Sequence, residues 1–320
     1  MSETSLPLVI VNPRSASGST REKWSQTAAD LRAHFGPFNV TFTRAVGHAS
    51  ELAERAARAG RQFVIACGGD GTINEVVNGL LKAGEDVELG VLPSGTGGDF
   101  RRSLGMPRSS RDAAAALRDG STRRIDVGRV MFTGHEGDSV ERFFINVSSA
   151  GLAADIVTRV KSTGTFDWLP IEALRGRANF AWSTLQEVID LEPALVRVKL
   201  DDRDEQPLRT TAFCVANGRY FGGGMMIAPD AKLTDGFFDV VNIGNVTVAK
   251  VITRGLSIYK GEHDVLGEVR SSRAKRIEIR SADDSRGVLI ETDGELPGRL
   301  PAVYEIVPSA LRIRVPKAID

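Results

Sequence analysis

Between residues 7 and 128, short apolar runs alternate with stretches whose apolar positions recur at helical spacing. Residues 8–11 predict a first strand, followed by the polar loop Asn12-Pro13-Arg14-Ser15-Ala16-Ser17-Gly18 and a helix over 20–35. Residues 39–43, 62–67 and 88–92 read as further strands, with an Ala-rich helix at 48–59. Within 72–82, Ile73, Val76, Val77, Leu80 and Leu81 fall at i, i+3, i+4, i+7 and i+8, one face of a helix. Thr72-x-x-Glu75 predicts a capping box at its start. A helix at 113–117 and a strand at 123–132 complete a βαβ alternation, which predicts an α/β domain with a parallel sheet over residues 1–128.

After residue 129 the pattern changes to frequent β-type runs at 143–147, 196–200, 211–216, 238–243, 276–280, 288–292 and 304–307. They predict an all-β second domain, a sandwich, over 129–320, with the last residues free to return to the first domain. Two helical interruptions are expected, at 172–191 and 248–259. Phe166, Trp168, Phe180 and Trp182 lie in or just ahead of the first, where they suit either core packing or a lipid-facing wall.

Charge narrows the function classes. Lys and Arg total 41 and Asp and Glu total 41, and a net charge of zero argues against a nucleic-acid binder held by a global positive field. Cys67 and Cys214 lie far apart inside apolar runs, reading as buried thiols in a reducing compartment. With four His, a His/Cys metal site is not expected. The first residues lack a basic n-region, and no apolar run reaches the roughly 18 residues that span a bilayer. A soluble, cytoplasmic chain is the expectation.

Glycine-rich segments carry the candidate chemistry. Gly68-Gly69-Asp70-Gly71-Thr72 joins a buried strand to an amphipathic helix. Missing Cβ atoms let backbone amides approach a ligand, and a helix N-terminus favours negative charge, which together suit phosphate. Asp70 would repel a polyphosphate unless a divalent cation bridges them or the Asp handles a proton, so the loop points to Mg-nucleotide chemistry. Pro93-Ser94-Gly95-Thr96-Gly97-Gly98-Asp99 repeats the arrangement after the next strand, and successive strand ends of a parallel sheet lie along one edge. Neither loop fits the Walker or dinucleotide fingerprint. Downstream, Asn217-Gly218 and Gly222-Gly223-Gly224 precede Pro229 and Asp235-Gly236, and Glu291-Thr292-Asp293-Gly294-Glu295 ends a strand with a dense set of carboxylates that a plain hairpin turn also explains.

In order and spacing these segments, with Val11-Asn12-Pro13, Gly47-His48-Ala49 and Ile125-Asp126, resemble the diacylglycerol kinase catalytic-domain family, the bacterial lipid kinases related to sphingosine and ceramide kinases. The resemblance implies an α/β nucleotide domain, a β-sandwich, an active site in the cleft between them, and transfer of the ATP γ-phosphate to a lipid hydroxyl. It places Asn12, Thr43, Gly68, Gly69, Gly71, Thr72, Glu75, Gly95 and Thr96 at the nucleotide. Asp70, Asp99 and Asp126 would organise catalytic Mg²⁺ through water. Asp293 would be the general base on the lipid hydroxyl, supported by Glu295, with Asp70 second for that role. Lys232, Asp235 and Phe237 would form a separate structural Mg²⁺ site.

One departure is visible: the family usually has Asn where this chain has Gly98, which gives up side-chain hydrogen bonds but adopts positive φ easily. The implied partners are a lipid at a membrane surface and brief peripheral membrane contact, through the basic stretch Arg270, Arg273, Lys275, Arg276 and Arg280. No nucleic acid is implied, and a homodimer remains open. A soluble-metabolite kinase such as an NAD kinase and a catalytically silent nucleotide- or lipid-binding regulator are the competing readings.

Overall fold

The computed structural model describes residues 6–94, 98–151, 193–246, 255–262, 267–283 and 287–317. The expected helix at 172–191, its four aromatic residues, and residues 248–254 of the second expected helix lie outside them. The chain divides into two compact units, Met1–Val127 with Pro308–Asp320, and Gly128–Val307.

In the first unit β1 (Leu8–Val11), β2 (Asn39–Phe42), β3 (Phe63–Gly68) and β4 (Glu88–Pro93) pair in parallel in the order β4-β3-β1-β2. A last parallel partner comes from the far end of the sequence, where Arg312 and Ile313 of β17 (Glu295–Val315) lie against Glu88 and Leu89. The helices are α1 (Ser19–His34), α2 (His48–Arg58), α3 (Asp70–Ala83), α4 (Asp99–Ser103) and α5 (Ser110–Asp119). Val9, Val11, Ile65, Cys67 and Leu92 from the strands form one core with Leu31 of α1 and Ala113, Ala114 and Leu117 of α5. Helices α2 and α3 pack closely because Gly79 has no side chain: a Cβ there would stand 2.2 Å from the Ser50 carbonyl oxygen.

The capping box expected at α3 does not form. Helix α3 starts two residues earlier, with Gly69 as N-cap and no side-chain cap. The Glu75 carboxylate turns instead to α2, accepting from the amides of Gly47 (2.9 Å) and Ala49 (3.1 Å). A carboxylate at a helix N-terminus meets the amides left unpaired there, and α2 offers them without a cap of its own.

The second unit is a β-sandwich. One layer contains β7 (Val147–Gly151), β10 (Ala212–Ala216), β13 (Phe238–Ile243), β14 (Val269–Ala274) and β16 (Leu289–Thr292), antiparallel in the order β14-β13-β10-β7-β16. The other contains β8 (Ala194–Leu200), β9 (Gln206–Thr210) and β15 (Arg276–Ser281). Strand β17 serves both, pairing with β16 near its start and with β15 over Ala302–Glu305. Phe213, Phe238, Val240 and Ile290 from one layer interleave with Val196, Val198, Ile277 and Ile279 from the other. β5 (Ser121–Gly134) enters this unit at Gly128 and pairs with β6 (Ser139–Phe144). Residues 220–226 form a two-strand hairpin, β11 (Tyr220–Phe221) with β12 (Met225–Met226), around the three glycines.

The run expected as one strand at 143–147 is two: β6 ends at Phe144 and β7 begins at Val147. The break has a polar cause, described below. No helix among the described residues is long and apolar enough to cross a membrane.

Candidate active site

The C-terminal ends of β1, β2, β3 and β4 lead directly into Asn12, Thr43, the Gly68–Asp70 turn and Ser94. Backbone bonds tie them: the Asn12 amide donates to Cys67 O (3.0 Å), Thr43 to Val11 O (2.9 Å) and Ser94 to Gly68 O (3.0 Å). Asn12 Nδ2 donates to Thr72 Oγ1 at 2.9 Å, joining the first loop to the start of α3. The two glycines of this turn differ in use. A Cβ on Gly68 would lie 2.6–2.8 Å from the Thr72 side chain, so Gly68 is a packing requirement, whereas at Gly69 nothing lies within 4 Å and the backbone faces open space. Gly71 lies in the first turn of α3.

Asp70 bridges the two glycine-rich loops. Its Oδ2 accepts from the Asp99 amide and its Oδ1 from the Phe100 amide, each at 3.1 Å. Gly98 just ahead has φ 64°, the left-handed conformation that glycine reaches without strain. Asp99 is buried, and its Oδ1 accepts from Arg102 Nη1 at 2.7 Å. Asp126, 2% exposed, accepts from the Ser309 amide at 2.8 Å. Among the described residues no three His, Cys, Asp or Glu side chains gather closely enough to hold a metal directly. Gly95 and Thr96 lie outside the described residues.

A chain of hydroxyls links these loops, a connection that sequence spacing does not show. Ser15 Oγ and Thr20 Oγ1 are 2.6 Å apart, Thr20 Oγ1 and Ser94 Oγ are 2.5 Å apart, and Ser15 also donates to Asn12 O (2.8 Å). The signal was present, since three hydroxyl residues flank two strand-end loops, but a polar loop without glycine repetition reads as an ordinary turn.

In the second unit Asp293 and Gly294 form a two-residue hairpin loop between β16 and β17, with Thr292 opposite Glu295 and φ values of 47° and 87°. Both positive angles fit the tight turn that Asp-Gly favours. The Asp293 carboxylate reaches back to the gap between β6 and β7. Its Oδ2 accepts from the Ile145 amide (2.8 Å), and its Oδ1 from Asn146 (2.9 Å) and Val147 (3.2 Å). These amides face a carboxylate instead of a neighbouring strand, which is why the expected single strand divides. Asn217 closes the other side: its Nδ2 donates to Ile145 O (2.9 Å), and the amides of Asn217 and Gly218 donate to Asn146 O, both at 2.8 Å. Glu295 pairs with Arg142 at 2.6 Å, so the two carboxylates flanking Gly294 hold different partners.

The proposed structural metal turn is filled by side chains. Asp235 accepts from the Phe237 amide (3.2 Å) and pairs with Arg273, whose guanidinium lies 4.6 Å from the Phe237 ring centre. Lys232 and Phe237 flank this acid in the turn to which the resemblance assigns a structural Mg²⁺. Two further members of the basic stretch have acidic partners: Arg276 pairs with Glu305, and Arg280 makes two bonds to Glu205 (2.8 and 2.9 Å). Its net field is far smaller than five cations in a row suggest.

Two family models match the chain. The diacylglycerol kinase catalytic domain matches residues 7–130, and the YegS C-terminal NAD kinase beta sandwich-like domain matches residues 148–315. A diacylglycerol kinase of Mycobacterium tuberculosis is 30% identical over 96% of this chain and 94% of its own length. One from Bacillus subtilis strain 168 is 28% identical over 97% and 96%. A crystal structure of a diacylglycerol kinase from Bacillus anthracis superimposes with a TM-score of 0.70 at 21% identity, covering 99% of this chain and 98% of that one, which supports the fold. Joined across nearly its whole length to these lipid kinases, the chain belongs to the diacylglycerol kinase catalytic-domain family, transferases that phosphorylate an alcohol acceptor.

Proposed function

We propose that the chain transfers the γ-phosphoryl group of Mg-ATP to the free hydroxyl of diacylglycerol, giving phosphatidic acid and ADP. The observation that carries the substrate is the similarity to diacylglycerol kinases over 96% of the chain. The geometry of each unit supports a distinct part of the work.

In the first unit the open backbone at Gly69 and the uncapped amides at the start of α3 suit a polyphosphate. Asn12, Thr43 and Thr72 contribute polar edges around it. Glu75 acts indirectly, by fixing the turn at Gly47 that follows Thr43. Asp70 and Asp99, joined through the Asp99 amide, would hold Mg²⁺ through water, with Asp126 the third acid the resemblance assigns to it; the ion would neutralise charge on the transferred phosphoryl group. Asp70 also holds the second glycine-rich loop to the first, so one carboxylate serves both geometry and charge.

In the second unit the Asp293 carboxylate is fixed by three amides and nine-tenths buried. A hydroxyl donating to it is held in one orientation. As the new oxygen–phosphorus bond forms and the bond to the leaving ADP oxygen breaks, the hydroxyl proton passes to Asp293. An alcohol is a much weaker acid than a carboxylic acid, so that transfer occurs late. Contact with the lipid surface is brief and local, in keeping with zero net charge.

The test is incorporation of labelled phosphate from ATP with Mg²⁺ into a panel of diacylglycerol, ceramide and sphingoid base in mixed micelles, with NAD as a soluble acceptor. Diacylglycerol is expected to be phosphorylated best. Labelling of NAD alone would overturn the reading.

A further inference from the structure

Glu291 is 4% exposed, and no step described so far uses it. It lies on β16 opposite Ser149 of β7, two residues before Asp293. Its Oε2 accepts from Ser149 Oγ at 2.8 Å, and its Oε1 accepts from the amide of Gly294. The charge stands close enough to the buried Cys214 thiol and Tyr304 hydroxyl to raise the pKa of both, after the larger effect of burial. A carboxylate in such a setting is costly unless its oxygens are hydrogen-bonded.

One of its two partners is the Gly294 amide, on an exposed residue of the turn. In a two-residue hairpin loop the second loop residue's N–H points away from the ladder, and here Asp293 ahead of it is a non-glycine residue held at φ 47°. Glu291 holds the turn through Gly294, while the Asp293 carboxylate holds the Ile145–Val147 amides. Two carboxylates thus tie one left-handed turn to different partners.

We infer that Glu291 is a positioning residue for Asp293, holding the Asp293–Gly294 turn so that the carboxylate meets the acceptor hydroxyl in one orientation. The inference rests on the reading that Asp293 receives the hydroxyl proton. It requires the side chain's reach and an acceptor oxygen more than its charge, so glutamine should serve where aspartate and alanine fail.

The test uses the full chain with Mg-ATP and diacylglycerol in mixed micelles, measuring kcat, the KM for ATP and the thermal midpoint. E291A and E291D are expected to lower kcat about 10- to 100-fold with the KM for ATP within about twofold of wild type. E291Q should recover kcat to within about threefold, since its amide oxygen still accepts from Gly294 and its NH₂ can bond Ser149 Oγ. S149A removes the other bond to Glu291 and serves as the stability control, with kcat retained despite a lower midpoint. The double variant D293N/E291D should be no slower than D293N alone, because both act on one carboxylate.

Wild-type kcat in E291D, equal losses in E291D and S149A, or additive losses in the double variant would overturn the inference. If E291A does not fold, E291D and E291Q still decide it. Failure of the underlying reading looks different, since D293N itself would then turn over diacylglycerol at the wild-type rate.

Discussion

Replacing Asp293 by Asn separates a catalytic loss from a structural one, and the hydrogen bonds give the size of each. Asn adopts positive φ more readily than most residues, so the turn at φ 47° survives. Its Oδ1 can keep the amides of Asn146 and Val147, but Nδ2 then faces the Ile145 N–H, donor against donor, where a carboxylate oxygen had stood at 2.8 Å. Losing one charge-assisted bond costs about 1.5–3 kcal/mol. For a unit of this size that lowers the midpoint by about 3–12 °C. A domain holding about 5–15 kcal/mol remains mostly folded at 25 °C after such a loss. Removing the proton acceptor costs about 10²–10⁴ in kcat, or roughly 2.7–5.5 kcal/mol of barrier. Partial unfolding is therefore too small to imitate the kinetic effect. The assay is lipid phosphorylation at 25 °C beside a thermal melt of the same preparation, and turnover within a few-fold of wild type would refute Asp293 as the proton acceptor.

Three further outcomes follow from the packing. Gly68→Ala drives a Cβ into the Thr72 side chain and disturbs the Asn12–Thr72 bond, so the KM for ATP should rise about tenfold, with a stability loss of about 1–3 kcal/mol seen in the melt. Arg314→Met leaves the 4% exposed Glu88 without its two-bond partner and should cost about 3 kcal/mol, lowering the denaturation midpoint in urea without changing lipid selectivity. Burial raises the Cys67 and Cys214 thiols from 9.0 to about 12, so neither should react with a disulfide reagent at pH 8 until the chain is unfolded. Because the folded values are the raised ones, these thiols favour the folded state below pH 9. That contribution declines between pH 9 and 12, as the unfolded chain ionises first, and a stability profile in this range checks it.

The α/β half was readable because its signals are local: Ile73, Val76, Val77 and Leu80 mark α3 by spacing alone. Its capping was not, since Glu75 sits where an N3 acid belongs yet serves a helix that only the fold brings near. In the sandwich, β13 was found at its full extent, Phe238–Ile243, whereas β9 and β14 were missed. Gln206-Pro207-Leu208-Arg209 and Arg270-Ser271-Ser272-Arg273 are polar runs, as expected for strands with exposed faces. The sequence singles out Asp70 and Asp293 as candidate acids, but not as acceptors for the amides of Phe100 and Ile145. Sequence spacing cannot show which distant backbone a carboxylate meets, and for the same reason Ser15, Thr20 and Ser94 read as scattered hydroxyls.

The return of β17 to the first unit gives that unit a particular order of assembly. As synthesis proceeds from the N-terminal end, β1 to β4 and their helices emerge well before Arg312 and Ile313. Until those residues arrive, β4 presents an unpaired edge, and Glu88 lacks the guanidinium that later binds it at 2.6 and 2.9 Å. Such an edge is a template for pairing with other chains. The emerging nucleotide-binding unit is therefore exposed to aggregation for as long as the sandwich takes to be made, and a break in translation after Val307 would leave it in that state.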